Sequence, residues 1–184
     1  VLTLALELVP VTGELRVTLS GAGASISTVS GIKYPYAFHA AGHSNAGFAV
    51  LPFDGGFVLP ESQTSYTTKF APVEQRAMNW FGGTDRDNAR GWIGIFETYA
   101  DAELSSATGT HDGVSVIGGV PKWLPSNGNP ARSPSLLSYD RTVAFRFFDD
   151  GGHGALSKHF RAWAAERGWL KTLAQKNAED PERK

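Results

Sequence analysis

The residues of this chain best suited to acid–base or metal chemistry are five histidines, at 39, 43, 111, 153 and 159, and a few clustered carboxylates. His39 and His43 have the four-residue spacing that would bring two imidazoles together on a helix. Their setting, Phe38-His39-Ala40-Ala41-Gly42-His43-Ser44-Asn45, contains glycine and precedes a strand pattern. Without a helix that spacing has no ligand geometry, and no carboxylate nearby completes a site. Both read as loop histidines, and His159, beside Phe160, reads as a packing residue. Asp85-Arg86-Asp87-Asn88 opens like a calcium loop, which would need an oxygen ligand at position 89, Gly at 90 and Glu at 96. The chain has Ala89, Arg90 and Phe96, so a carboxylate-closed turn is the simpler account. Two carboxylate pairs remain, Asp149-Asp150 and Glu97 with Asp101. Glycosidic cleavage needs two carboxyls facing one cleft, about 5–5.5 Å apart for retention or about 6.5–9.5 Å for inversion. Neighbours on a strand point to opposite faces, so Asp149-Asp150 reads instead as a turn before Gly151-Gly152. No nucleophile elbow, phosphate-binding glycine loop or dinucleotide fingerprint is present.

The aromatic residues carry the remaining signal. Five tryptophans stand at 80, 92, 123, 163 and 169. A flat indole beside Asp, Asn or Arg can stack on the apolar face of a sugar while polar neighbours meet its hydroxyls. Asn79-Trp80-Phe81-Gly82-Gly83-Thr84-Asp85 has that composition, and Lys122-Trp123 before a long loop is the second place that does. Trp80, Asp85, Lys122 and Trp123 are therefore the candidate carbohydrate-binding residues. The competing account of any of these rings is core packing, which is the expectation for Trp163.

Composition narrows the function classes. Lys plus Arg is 17 against 18 Asp plus Glu, for a net charge of −1. A nucleic-acid binder needs a basic excess to displace phosphate counterions, so nucleic acid is not an expected partner. The absence of cysteine removes thiol catalysis, disulfides and Cys-ligated metals, and no cofactor is expected. No run approaches the ~20 apolar residues of a membrane helix, so no membrane partner is expected either. Val1 to Pro10 has no basic n-region and reads as a strand. The compartment stays open, a secreted or periplasmic bacterial setting included. At this length a chain buries about 70% of its unfolded surface, enough for one real core.

The elements that would hold these residues are mostly strands. Leu2, Leu4, Leu6 and Leu8 alternate with Thr3, Ala5 and Glu7, the pattern of a half-buried strand. Val11-Thr12-Gly13-Glu14 reads as a turn, and Leu15, Val17 and Leu19 complete a β-hairpin. Further strands are expected at 26–32, 47–51, 56–59, 64–70, 78–81, 91–98, 114–120 and 142–148, with Trp92-Ile93-Gly94-Ile95-Phe96 central. Residues 121–134, with four prolines, read as a long loop. From Gly154 the period turns helical, with Leu156, Phe160, Trp163 and Ala164 on one face and Gly168 placed to end the helix. A short helical stretch over 170–176 and a charged tail follow. The expected fold is mostly β: an antiparallel β-sandwich over residues 1–152, then a helical segment and tail over 153–184.

At this point the motifs resemble a known family. The Asn79–Asp85 loop, followed by Gly91-Trp92-Ile93-Gly94-Ile95-Phe96-Glu97-Thr98 and Asp101-Ala102, is similar to a tract of large bacterial glycoside hydrolases of the endo-α-N-acetylgalactosaminidase type. Downstream, Arg141 to Phe148, Asp150-Gly151-Gly152, Lys158-His159-Phe160-Arg161 and Gly168-Trp169-Leu170-Lys171-Thr172-Leu173 follow the same order. The resemblance implies a galactose-mutarotase-like supersandwich placed before a catalytic (β/α)₈ barrel. The catalytic carboxylates of such enzymes lie on the barrel, so none transfers here. Trp80 and Asp85 transfer only as contributors to the edge of a substrate cleft. The family's second loop tryptophan is Phe81 here.

The expected role is thus a non-catalytic, carbohydrate-associated sandwich that packs against a barrel and shares in walling the sugar site, with a glycan as ligand. Two alternatives stand beside it. One is a stand-alone carbohydrate-binding module acting through Trp80 and Trp123. The other is a mutarotase-like epimerase, for which His111 and Glu97 are the only acid–base pair to nominate.

Overall fold

A computed structural model describes residues 1–21, 31–35, 47–52, 56–63, 65, 71–73, 78–111, 113–124 and 139–179, with only the backbone of 71, 111 and 114–116. The alternating N-terminal runs form β1 (Leu2–Val9) and β2 (Glu14–Gly21), joined through Gly13 at φ 64°. That left-handed value is what a glycine supplies without strain. The other strands are β3 (Ile32–Lys33), β4 (Phe48–Leu51), β5 (Phe57–Pro60), β6 (Ala71–Pro72), β7 (Trp80–Thr84), β8 (Gly91–Phe96), β9 (Ala102–His111), β10 (Val114–Trp123) and β11 (Arg141–Phe148). Two helices follow, α1 (Gly152–Glu166) and α2 (Leu173–Glu179). Among the described residues no helix is long and apolar enough to cross a membrane.

The strands make two antiparallel sheets. One runs β1-β2-β11-β8-β7-β4-β5 and the other β3-β10-β9-β6. The mostly-β expectation with a C-terminal helix therefore holds. Period-two alternation then sorts the large sheet into two faces. Val17, Leu19, Phe81, Trp92, Phe96, Val143 and Phe145 point at the small sheet and pack with Ala102, Leu104 and Trp123. Val50, Trp80, Ile93 and Ile95 point the other way, onto Leu156, Trp163 and Ala164 of α1. The run Trp92-Ile93-Gly94-Ile95-Phe96 is apolar throughout because β8 is the middle strand of seven and is buried on both faces. Glycine permits the closest layer contact: a Cβ at Gly119 would lie 2.4 Å from the Phe81 ring.

Several expectations change. The long strand β9 was not legible, because Ser105, Ser106, Ala107, Thr108 and Gly109 carry almost no apolar signal. Its partner β10 runs to Trp123, so Pro121 and Lys122 belong to a strand and not to the start of a loop. The leucines of β1 are not half-buried: every residue from Leu2 to Leu8 is exposed. They share a face with Leu15, Val17 and Leu19, opposite which they pair, but β1 is the outermost strand of the wider sheet. The helix starts at Gly152, two residues earlier than its periodicity predicts, and α2 lies at 173–179 and is exposed along its length. The strand expected over 26–32 is described only at Gly31 and Ile32. The one expected over 64–70 is described only at Ser65.

Candidate functional site

The residues singled out in the sequence do not meet in one place. Trp80 lies on the helix side of the large sheet and is 4% exposed, with its ring 6.4 Å from Phe160. Trp123 lies on the opposite side, between the sheets, 1% exposed and 6.2 Å from the Phe96 ring. A whole sheet separates them, and neither indole offers a face to solvent. Stacking on a sugar needs such a face, so core packing is the role these two rings have here. Lys122 donates to Glu103 Oε2 across β10 and β9 at 2.9 Å.

Asp85 closes a turn. Its Oδ1 accepts the backbone N–H groups of Ala89 (2.9 Å) and Arg90 (3.2 Å), and Oδ2 accepts Nε of Arg90 at 3.1 Å. Those bonds outweigh a desolvation that acts the other way, and the carboxyl sits below its ordinary value. Both oxygens are thus engaged by the loop's own donors, leaving a poor calcium ligand. The closed loop also sets the position of Asn88 within it. Asn88 is held at φ 53°, and its Oδ1 accepts the backbone N–H of His153 at 2.9 Å. Its neighbour's carbonyl, that of Ala89, accepts the N–H of Gly152 at 3.2 Å. The first turn of a helix has N–H groups without partners, and α1 has no side-chain cap of its own. The loop supplies those partners from another part of the chain.

The other end of α1 meets a seam of alternating charge. Glu14 and Arg16 on β2 and Arg146 on β11 occupy the helix-facing side of their strands, opposite the Val17 and Phe145 face. Arg146 donates Nε to Glu14 Oε2 at 2.9 Å and forks its other two nitrogens onto Glu166 of α1 at 2.5 and 3.3 Å. Glu97, just past β8, accepts Arg16 on one oxygen and Arg167 on the other. Arg16 and Arg167 both stand 3.8 Å from Glu14 Oε1. The hydrogen bond to Glu97 raises Arg16 above its ordinary value. Burial pulls Arg146 down, but its bonds to Glu166 and Glu14 more than restore it. The same bond from Arg146 holds Glu166 below the usual carboxylate range. Arg167 also lies over the Trp163 ring, 4.2 Å from its centre.

This seam bears on the acid–base candidates. Glu97 holds a guanidinium on each oxygen, so both of its oxygens are engaged within the seam. Asp101, the other half of its pair, is bound by Arg141 at 2.6 and 3.1 Å. Asp149 and Asp150 are exposed, and Gly151 (φ 80°) and Gly152 (φ 54°) make the turn expected after them. The side chain of His111, and His39 and His43 entirely, lie outside the described residues. The described site is therefore a seat for α1: a borrowed cap at its N-terminus, apolar packing along its middle and an ionic seam at its C-terminus. The sequence carried one signal for the seam, charges at 14, 16 and 146 on strands whose opposite faces are apolar.

The helix ends in a Schellman motif, with Gly168 N–H on the Ala165 carbonyl and Trp169 N–H on that of Ala164, both at 2.9 Å. Gly168 takes φ 69°, as expected of it. Trp169 then stands edge-on to Trp163 at 4.9 Å while half of its surface stays open. Leu170 and Leu173 are exposed beyond it.

No protein-family model matches this chain, and no curated protein does. Solved structures do match. The α-N-acetylgalactosaminidase NagBb from Bifidobacterium bifidum superposes with a TM-score of 0.72 and 19% identity in its Gal-NHAc-DNJ complex. Its GalNAc complex gives 0.70 and 20%, and its ligand-free form 0.68 and 21%. Each match covers 97% of this chain but 28% of that chain, so this chain spans little more than a quarter of the enzymes it resembles. At that level of identity the likeness is one of fold: the described sheets and α1 share their arrangement with one part of a much longer chain.

Proposed function

We propose that this chain is the non-catalytic β-sandwich domain of a glycoside-hydrolase-type protein, and that its task is to hold a catalytic domain through the segment that leaves α1. The carrying observation is the contrast across Gly168. Before it, α1 is fixed at both ends and buried along its middle; after it, Trp169, Leu170 and Leu173 leave apolar surface uncovered. Such a run is suited to meeting a second packed body. The likeness to 28% of an α-N-acetylgalactosaminidase chain supports the same reading, with a glycan carrying α-linked N-acetylgalactosamine as the substrate of the whole protein. The burial of Leu156 and Trp163 favours a sandwich unit that includes α1 and runs to Gly168, rather than one ending at residue 152.

In this reading the sandwich contributes no acid, base or nucleophile. The 184-residue chain should release no aglycone from an aryl α-N-acetylgalactosaminide, should not speed anomer interconversion of free sugars, and should bind no glycan on an array through Trp80 or Trp123. Turnover by the purified chain, abolished in Glu97→Gln, would overturn the proposal in favour of an independent enzyme.

A further inference from the structure

The first nine residues read Val1-Leu2-Thr3-Leu4-Ala5-Leu6-Glu7-Leu8-Val9. About Ala5 this string is its own mirror image, except that Thr3 faces Glu7. Among the described residues it forms β1, the outermost strand of the seven-stranded sheet. The outer edges of the two sheets are treated very differently. The far edge of the large sheet, β5, is four residues long and ends in Pro60. The edges of the small sheet, β3 and β6, are two residues each, and β6 contains Pro72. Short edges and proline are the usual means of blocking strand addition. β1 has neither: it is eight residues long, free of proline and paired to β2 without a bulge from Leu2 to Val9. Its leucines are 40 to 66% exposed.

We propose that β1 pairs antiparallel with β1 of a second copy of this chain, across a twofold axis at Ala5, to join two seven-stranded sheets into one. The register follows from the side chains. Side chains alternate, so leucines from both copies share a face only where paired residue numbers add to an even sum. A sum of 10 sets Leu2 against Leu8 and Leu4 against Leu6 of the second copy, and uses all four leucines of each strand. It sets Glu7 against Thr3 of the second copy. A sum of 14 would instead place the two Glu7 carboxylates opposite each other, which is unfavourable, and sums of 8 or 12 leave a leucine of each copy outside the ladder. Glu7 is already within 3.9 Å of Arg16 of its own chain, so the one charge on the strand has a partner in the assembly. The twofold lies perpendicular to the sheet, so the patch is self-complementary, as an isologous interface requires. This inference does not depend on the catalytic-domain reading above.

The chain lacks cysteine, which makes the register directly testable. Paired residues in an antiparallel ladder have Cα atoms about 4.5–5.5 Å apart, inside disulfide reach. Ala5→Cys should therefore give a disulfide-linked dimer on oxidation. Thr3→Cys should not, because in this register the two Thr3 positions are offset by four residues, about 13 Å along the strand. Sedimentation of the unmodified chain from micromolar to millimolar concentration should show a monomer–dimer equilibrium. Leu4→Glu and Leu6→Lys alter side chains that are already exposed in one copy, so each should keep the circular dichroism spectrum and thermal midpoint and lose the dimer. A chain that is monomeric throughout, with no link in Ala5→Cys, overturns the proposal. So does linking of Thr3→Cys as readily as Ala5→Cys, or a dimer that survives both leucine variants. A monomer whose β1 amides resist hydrogen exchange would assign the stripe to another segment of the same chain, and overturns it too.

Discussion

Replacing Arg146 with methionine tests whether the ionic seam fixes α1 or merely decorates it. Methionine keeps much of the arginine stem and removes the guanidinium. Glu14, one of its partners, is buried; Glu166, the other, is half exposed. The two losses should differ in size. Breaking a buried pair by removing one partner costs roughly 3–5 kcal/mol, because a charge is left without compensation. Glu14 keeps Arg16 and Arg167 at 3.8 Å, which lowers the expected cost of Arg146→Met to about 2–4 kcal/mol. At about 2–4 °C per kcal/mol for a domain of this size, the melting temperature should fall by on the order of 10 °C. Glu166→Gln, at the exposed end of the same fork, should cost under about 1 kcal/mol and lose its effect in high salt. Adding Glu14→Gln to Arg146→Met removes the stranded carboxylate and should recover part of the loss. The assay is a calorimetric or circular dichroism melt of these three variants beside the unsubstituted chain. Hydrogen exchange beside it should show α1 amides opening before those of β9 and β10. Equal small effects of Arg146→Met and Glu166→Gln would refute the reasoning, since only Arg146→Met takes a guanidinium from the buried Glu14.

Four further outcomes follow from the packing. Arg141 is fully buried, bound to Asp101 and lying 4.0 Å from the centre of the Tyr139 ring. Arg141→Met should cost about 3–5 kcal/mol in a chemical denaturation series, and Arg141→Met with Asp101→Leu should cost less than the single change. Gly119→Ala pushes a methyl into the Phe81 ring, which is hemmed by Trp92, Phe96 and Phe145, and should destabilise by roughly 1–3 kcal/mol. Gly154→Ala, where nothing lies within 4 Å of the new carbon, should instead stabilise α1 by up to about 1 kcal/mol. His159 stacks on Phe148 at 5.0 Å; burial, and then Arg146, hold it below 6.5, while Asp150 acts against them. The unfolded chain therefore takes up this proton first as pH falls, and stability should drop from about pH 7 down through the folded value. His159→Phe keeps the stacked ring and should flatten that part of the stability profile; an unchanged slope would count against it.

Much of the architecture is readable because alternation and helical period are local signals. The β1–β2 hairpin, the central β8, the alternation of β11 and the apolar stripe of α1 all follow from spacing within a dozen residues. What spacing does not carry is the identity of the surface that covers an apolar face. Leu2, Leu4, Leu6 and Leu8 alternate as regularly as Val143 and Phe145 do, yet the first set is exposed and the second buried. The difference is position in the sheet, which comes from pairings more than a hundred residues apart. β9 escaped notice for the opposite reason: small polar residues are buried there under a neighbouring layer that only the assembled fold supplies. The tryptophans show the same limit. Asn79–Asp85 has the composition of a sugar-stacking loop, but Trp80 is the floor on which α1 rests and Asp85 is the clasp of the loop that caps it. The ionic seam joins residues 14, 16, 97, 146, 166 and 167, a set no window of sequence contains.

The way α1 is held sets what the chain can do with whatever follows it. A helix packed only by an apolar stripe can slide or roll, because apolar contact has no direction. Here three directional devices remove that freedom. Asn88 and Ala89 bind the first N–H groups, which fixes the helix along its axis. Arg146 forks onto Glu166 and Arg167 reaches Glu97, which fixes its rotation. The Schellman turn at Gly168 then sends the chain away at one angle, with Trp169 braced against Trp163. The first two devices draw on the loop between β7 and β8, on β11 and on Glu97 just past β8. The direction in which residues 169–179 leave is therefore tied to the sheet through α1, which is the geometry the proposed role calls for.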